Sequence, residues 1–300
     1  MTSIGRRPLS GIAWLLIGAG SAAVGLLPWL ITGARLPLQN LAADQADLST
    51  PFSLLPFSQY FLTAIVSLLV VGGAVAGLAG RILRHRRARG GTRFLTLGVV
   101  AIQAIAIAQS SVVTVTMLED SSRRVVYAAA VIAVMLVSLL MSVLVLLLVA
   151  RAGRPGAAVA LSLAALTAPG WIGLPLQGVL SLGSDPVTST VLLLLRWVPA
   201  VLVGVVIAWC GFRTAGCVAA ALVSLAALWI GPAFFTAVSA AAGTRVLAPY
   251  PAEMADYGIG VFVMALTAAD LVVPSLIVAA CVGALGALAL AALTNRTDRA

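Results

Sequence analysis

Between residues 188 and 204 the sequence reads TSTVLLLLRWVPAVLVG, a long apolar run interrupted by one arginine, Arg196. A guanidinium is always charged and presents a planar fork of donors suited to carboxylate or phosphate. In the middle of a hydrocarbon-spanning helix it costs about 2.5–3.5 kcal/mol, so it needs a partner or a polar cavity. Pro199 follows three residues later and removes a backbone donor near the same depth. Two roles fit Arg196. It lines a cavity and meets an anionic group, or it pairs with Asp270 and pins two helices together.

A second polar group lies on the run at 94–117. Gln103, Ser110 and Thr114 are spaced by seven and four, which puts them on one helical face, with Gln109 and Thr116 on a neighbouring line. They are candidates for a substrate-lining face, or for hydrogen bonds between helices. A third group is cationic. Arg81, Arg84, Arg86, Arg87, Arg89 and Arg93 crowd one short connection and could hold anionic lipid headgroups.

Enzymatic chemistry finds little footing. All 18 basic residues are Arg, so no lysine is available for a phosphate-binding loop or a Schiff base. The single histidine, His85, stands in the Arg-rich connection. Cys210, Cys217 and Cys281 fit neither a disulfide framework nor zinc-ligand spacing and read as small packing residues. GAGSAA at 18–23 matches a dinucleotide-binding fingerprint only formally, because no strand precedes it. The reading is non-enzymatic, with no catalytic residues, no metal site and no cofactor.

These residues must be positioned by elements suited to lipid. The chain of 300 residues is 62% hydrophobic and 9% charged, against roughly 25% charged in soluble domains. Eight apolar runs, at about 11–33, 59–81, 94–117, 125–150, 157–181, 188–211, 216–241 and 268–293, are each long enough to span a bilayer. The fold class expected is an all-α polytopic membrane bundle of eight transmembrane helices. The first run is long for a cleaved leader and reads as an anchor.

Orientation follows from arginine in the short connections. With both termini cytoplasmic, Arg6, Arg7, the cluster at 81–93, Arg151, Arg154, Arg213, Arg296 and Arg299 lie inside, and Arg35, Arg123, Arg124 and Arg245 lie outside. The Arg-only, Ala-, Val- and Gly-rich composition suggests a GC-rich bacterial source and hence the bacterial plasma membrane. The net charge of +9 is spent on topology rather than on nucleic acid. Partners are membrane lipids and other envelope membrane proteins.

The tetrapeptide Leu-Pro-Leu-Gln occurs twice, at 36–39 and 174–177. Each copy falls near an outer span end, four spans apart, which suggests a parallel 4+4 repeat with halves 1–150 and 151–300. Pro37, Gln39, Pro175 and Gln177 are then expected to mark equivalent helix ends. The outer loop at about 34–58, with PFSLLPFSQY, reads as a short structure on the membrane surface. The segment at about 242–267 fits a surface helix, a re-entrant segment or an extension of the last span. The function expected is a transporter or lipid-handling permease with a polar cavity in the outer half of the bilayer. The alternative is a non-catalytic envelope scaffold or assembly factor that binds partners through its outer loops.

Overall fold

The computed structural model of the chain describes residues 8–37, 50–86, 90–118, 122–176, 186–244, 246–247 and 249–297. Among these residues the regular elements are all helices, and an isolated antiparallel bridge joins Arg35 to Phe52. Eight helices are long and apolar enough to cross a membrane. The chain divides into two compact units, Met1–Ala152 and Gly153–Ala300.

The first unit holds α1 (Gly11–Ile31), α2 (Leu62–Ile82), α3 (Gly91–Met117) and α4 (Ser122–Arg151). Ser10 starts α1 by accepting the Ala13 N–H at 3.2 Å, satisfying a donor that the first turn leaves free. The helices do not pack in chain order. α1 lies against α2 and α3, and α4 against α2 and α3, with α2 touching α3 across the middle. The pairs α1·α3 and α2·α4 run parallel and are the closest. A Cβ on Gly18 or Gly98 would strike the carbonyl of Leu95 or Leu15, and one on Gly73 would strike the Ser142 main chain. Backbone contact of this kind replaces the hydrophobic drive that lipid cannot supply.

The connection from α1 to α2 departs from expectation. Residues 50–58 turn partly inward, with Phe52 left exposed. Ser53, Leu55 and Phe57 are fully buried within the unit. Irregular backbone buried in protein needs partners for its polar groups, and many of them are supplied here. Leu36 N–H donates to Pro51 O at 2.9 Å and Ser53 N–H to Ala34 O at 2.7 Å. Trp29 Nε1 donates to Ser53 O at 2.7 Å. Gln109 receives the Leu54 N–H and donates to Phe52 O, both at 2.9 Å, and Ser110 Oγ receives the Leu55 N–H at 2.8 Å. The Phe57 ring meets Tyr127 at 6.2 Å between centroids. The segment is a plug held by α1, α3 and α4.

The second unit holds α5 (Arg154–Gly173), α6 (Pro186–Cys210), α7 (Ala215–Gly243), α8 (Pro251–Thr267) and α9 (Ala269–Thr297). α5 packs on α6 and α7, and α9 on α6 and α7, with α6 touching α7. Again the first and third helices run parallel, with Pro155 by Gly216 and Leu166 by Gly231. The second and the last also run parallel, with Gly204 by Ala279 and Ala208 by Gly286. α8 is additional and packs back along α7, with Gly258 by Ala241 and Leu266 by Trp229. It is a helix distinct from α9, because Ala268 between them has a non-helical ψ of 74°.

The first helices of the two units share more than the tetrapeptide. Ala19-x-Ser21-x-Ala23 and Ala160-x-Ser162-x-Ala164 stand at the same distance before Pro28-Trp29 and Pro169-Gly170-Trp171. Ser21 and Ser162 are both buried, and both prolines lie inside their helices. The tetrapeptides themselves differ in local form. Pro175 lies in a 3-10 turn that continues α5, whereas Pro37 lies beyond α1 on the extended stretch paired with Pro51 and Phe52. Gln39 and Gln177 lie outside the described residues.

Candidate functional site at a helix break

The polar face of α3 is spent inside the first unit. Gln103, Ser110 and Thr114 are completely buried. Gln103 Nε2 donates to Leu69 O on α2 at 2.8 Å and to Ser142 Oγ on α4 at 3.1 Å. The reverse amide orientation would set two oxygens face to face. Gln103 Oε1 is left buried without a hydrogen-bond partner. Ser110 holds the plug, and Thr114 Oγ1 donates back to Ser110 O at 2.8 Å. Gln103 ties α3 to its neighbours and Ser110 ties it to the plug, while Thr114 bonds within α3.

The Arg-rich connection divides similarly. Arg81 Nη1 donates to Val149 O at 2.8 Å and Ala152 O at 3.0 Å, capping the carbonyl end of α4. Arg84 and Arg93 are exposed, and Arg86 is half-buried with its Nε unpartnered. Arg87 and Arg89 lie outside the described residues.

Arg196 belongs to a different construction. It lies near the middle of α6, and its Nη2 donates to the main-chain carbonyls of Asp270 and Leu271 at 3.4 and 3.3 Å. These bonds are at the long end of the normal range. The expected partner residue is correct in position, but the contact is made by its main chain and not its carboxylate. The reason lies four residues on. Pro274 sits inside α9 and has no N–H, so the Asp270 carbonyl loses its intrahelical donor. The guanidinium supplies a substitute.

The other side of the break is held from α7. Trp229, the central residue of that helix, donates Nε1–H to Leu266 O at 3.0 Å, near the end of α8. Thr267 Oγ1 turns back to Val263 O at 2.8 Å and Met264 O at 3.2 Å. Ala268 O receives the N–H groups of Leu271 and Val272 at 3.0 and 3.1 Å, so α9 starts afresh. The break is therefore level with the middles of both neighbouring helices. α8 descends beside the second half of α7, and α9 continues beside the second half of α6.

Arg196 and Asp270 are both exposed on this unit. The guanidinium keeps donors beyond Nη2, while its face lies over the Trp197 ring at 5.5 Å. The break thus presents a free guanidinium edge and a carboxylate, with a new helix beginning between them. Such an arrangement can bind an anionic group at Arg196 and a cation at Asp270. Trp229 was missed by the sequence reading. Its signal was available, since a tryptophan at mid-span lies away from the interfacial belts where tryptophan collects. So was Asp-Leu-Val-Val-Pro at 270–274, whose proline frees the aspartate carbonyl.

Eight helices long and apolar enough to cross a bilayer make this a multi-pass integral membrane protein. No protein-family model, curated protein or solved structure matches the chain.

Proposed function

We propose that the protein is a duplicated four-helix membrane unit that works as a permease for a solute or lipid headgroup bearing an anionic group, recognised at the α8–α9 break. The observation that carries this reading is the discontinuous helix itself. Broken helices at mid-depth, flanked by charge, are a recurrent way of building transporter sites. An exposed arginine and aspartate at such depth are costly against hydrocarbon, so water, substrate or protein must cover them.

Duplication is supported by the shared, non-sequential pairing of helices in the two units and by the matched Ala-x-Ser-x-Ala and Pro positions. Four spans per unit give both units the same orientation. The arginine pattern favours cytoplasmic termini in a bacterial plasma membrane. In this reading Arg84, Arg86 and Arg93 meet anionic lipid headgroups, and Arg81 is reserved for α4.

The alternative is a scaffold whose exposed break is covered by another membrane protein. It is favoured by Gln103, Ser110 and Thr114, whose polar groups serve packing rather than a pathway. Cysteine scanning separates the two without a known substrate. In a chain lacking native cysteines, Thr267→Cys and Ala269→Cys should react with a membrane-impermeant maleimide in purified, reconstituted protein. Failure of both to react, with a loop cysteine reacting normally, would overturn the permease reading.

A further inference from the structure

The two cysteines that close the α6–α7 connection are in direct contact, at a Sγ–Sγ separation of 2.9 Å. Both are buried. Cys210 ends α6, and Cys217 lies in the first turn of α7, where its N–H is received by the Thr214 side chain at 3.2 Å. Gly211, with φ of 73°, begins the tight connection that brings the two helix ends together. Ala158 and Ala220 pack around the sulfurs, with Val206 and Trp209 beside them.

The distance selects the chemistry. Non-bonded heavy atoms settle at about 3.5–4.0 Å, and sulfur is larger than carbon. A shared tetrahedral zinc would hold two thiolates about 3.8 Å apart, from bonds of about 2.3 Å. The pair is closer than either arrangement, and no group of three or more His, Cys, Asp or Glu side chains among the described residues could complete a metal site. We propose that Cys210 and Cys217 are a reversible dithiol–disulfide pair. The inference goes beyond the transport reading and does not depend on it.

Oxidation proceeds by exchange with a low-molecular-weight disulfide. One cysteine thiolate attacks a sulfur of that disulfide, forming a mixed disulfide and releasing one thiolate. The second cysteine thiolate attacks the protein sulfur of the mixed disulfide and releases the second. The protein loses two thiol protons and two electrons, and the small disulfide becomes two thiols. The new bond joins α6, which carries Arg196, to α7, which carries Trp229.

The test uses the full chain in detergent, equilibrated with glutathione disulfide or with dithiothreitol, then denatured and alkylated with a polyethylene-glycol maleimide. The reduced protein should gain three adducts, matching its three cysteines, and the oxidised protein only one, at Cys281. Cys210→Ser should lose this two-adduct difference. Peptide mass analysis of the oxidised wild-type chain, which needs no variant to fold, should find Cys210 and Cys217 linked and lighter by two hydrogens. Three adducts after oxidation, a stable glutathione adduct on either residue, or linkage through Cys281 would each overturn the proposal.

Discussion

At the scale of the residue, Arg196 and Gln103 were the same kind of signal, a strong polar group inside an apolar run, and they have different fates. Gln103 reaches partners on two neighbouring helices and is sealed in. Arg196 caps a carbonyl and keeps an open edge. Replacement should tell them apart. Gln103→Leu keeps much of the volume and removes the unpartnered Oε1, but it also takes the donor from Leu69 O and Ser142 Oγ, so it should cost about 1–3 kcal/mol. Gln103→Ala leaves a cavity as well and should cost about 2 kcal/mol more. Thermal unfolding in detergent measures both, and equal losses would contradict a packing role. Arg196→Gln should change stability by only about 0.6 kcal/mol, typical of a polar contact between membrane helices. It should, however, alter maleimide reactivity at Thr267→Cys, because the guanidinium no longer holds the start of α9. Unchanged unfolding and unchanged reactivity together would remove Arg196 from the site.

At the scale of the element, what was legible followed from period and composition. The spans at 94–117, 188–211 and 216–241 correspond closely to α3, α6 and α7, because long apolar runs in lipid have only the helix available. The plug was not legible. Its prolines and scattered apolar residues were read as a surface structure, whereas its burial depends on Gln109 and Ser110, more than fifty positions away in sequence. The α8–α9 boundary was legible in place, since the last apolar run was set to begin at 268, but its form as a break between two helices was not. Ala268 is an ordinary residue within an apolar stretch, and the break is stabilised by donors from α6 and α7. Hydropathy records neither kind of long-range bond. The plug makes a clear prediction. Removing the Gln109 side chain leaves Leu54 N–H and Phe52 O without it, and removing the Ser110 hydroxyl does the same for Leu55 N–H. A buried group left unbonded costs about 1–3 kcal/mol. The double variant Gln109→Ala/Ser110→Ala should therefore raise hydrogen exchange at residues 52–57 well before α2 or α4 is affected. Protection retained across that segment would mean that other bonds hold the plug.

At the scale of the whole molecule, the two units share a pairing scheme and differ by one elaboration each. The first carries its extra structure between its first and second helices, as the plug; the second carries it between its third and last, as α8. Duplication explains this pattern economically: a common four-helix unit tolerates insertions at its connections, where few helix contacts are disturbed. Each unit has close seams of its own. Gly73 meets Ser142 in the first, and Gly204 meets Ala279 and Val282 in the second. If each unit retains the self-sufficiency of its ancestor, the chain can be cut at its boundary. Residues 1–152 and 153–300, expressed as separate polypeptides, should each insert into membranes with both ends on one side, since each crosses an even number of times. Each should also resist proteolysis within its helices, the first through α1·α3 and α2·α4 and the second through α5·α7 and α6·α9. End-specific tags with impermeant labelling read the insertion, and limited proteolysis reads the packing. A half with ends on opposite sides would refute the four-span unit. A half that inserts correctly but is degraded throughout its helices would show that its internal seams do not suffice, and duplication of an independent folding unit would fail with it.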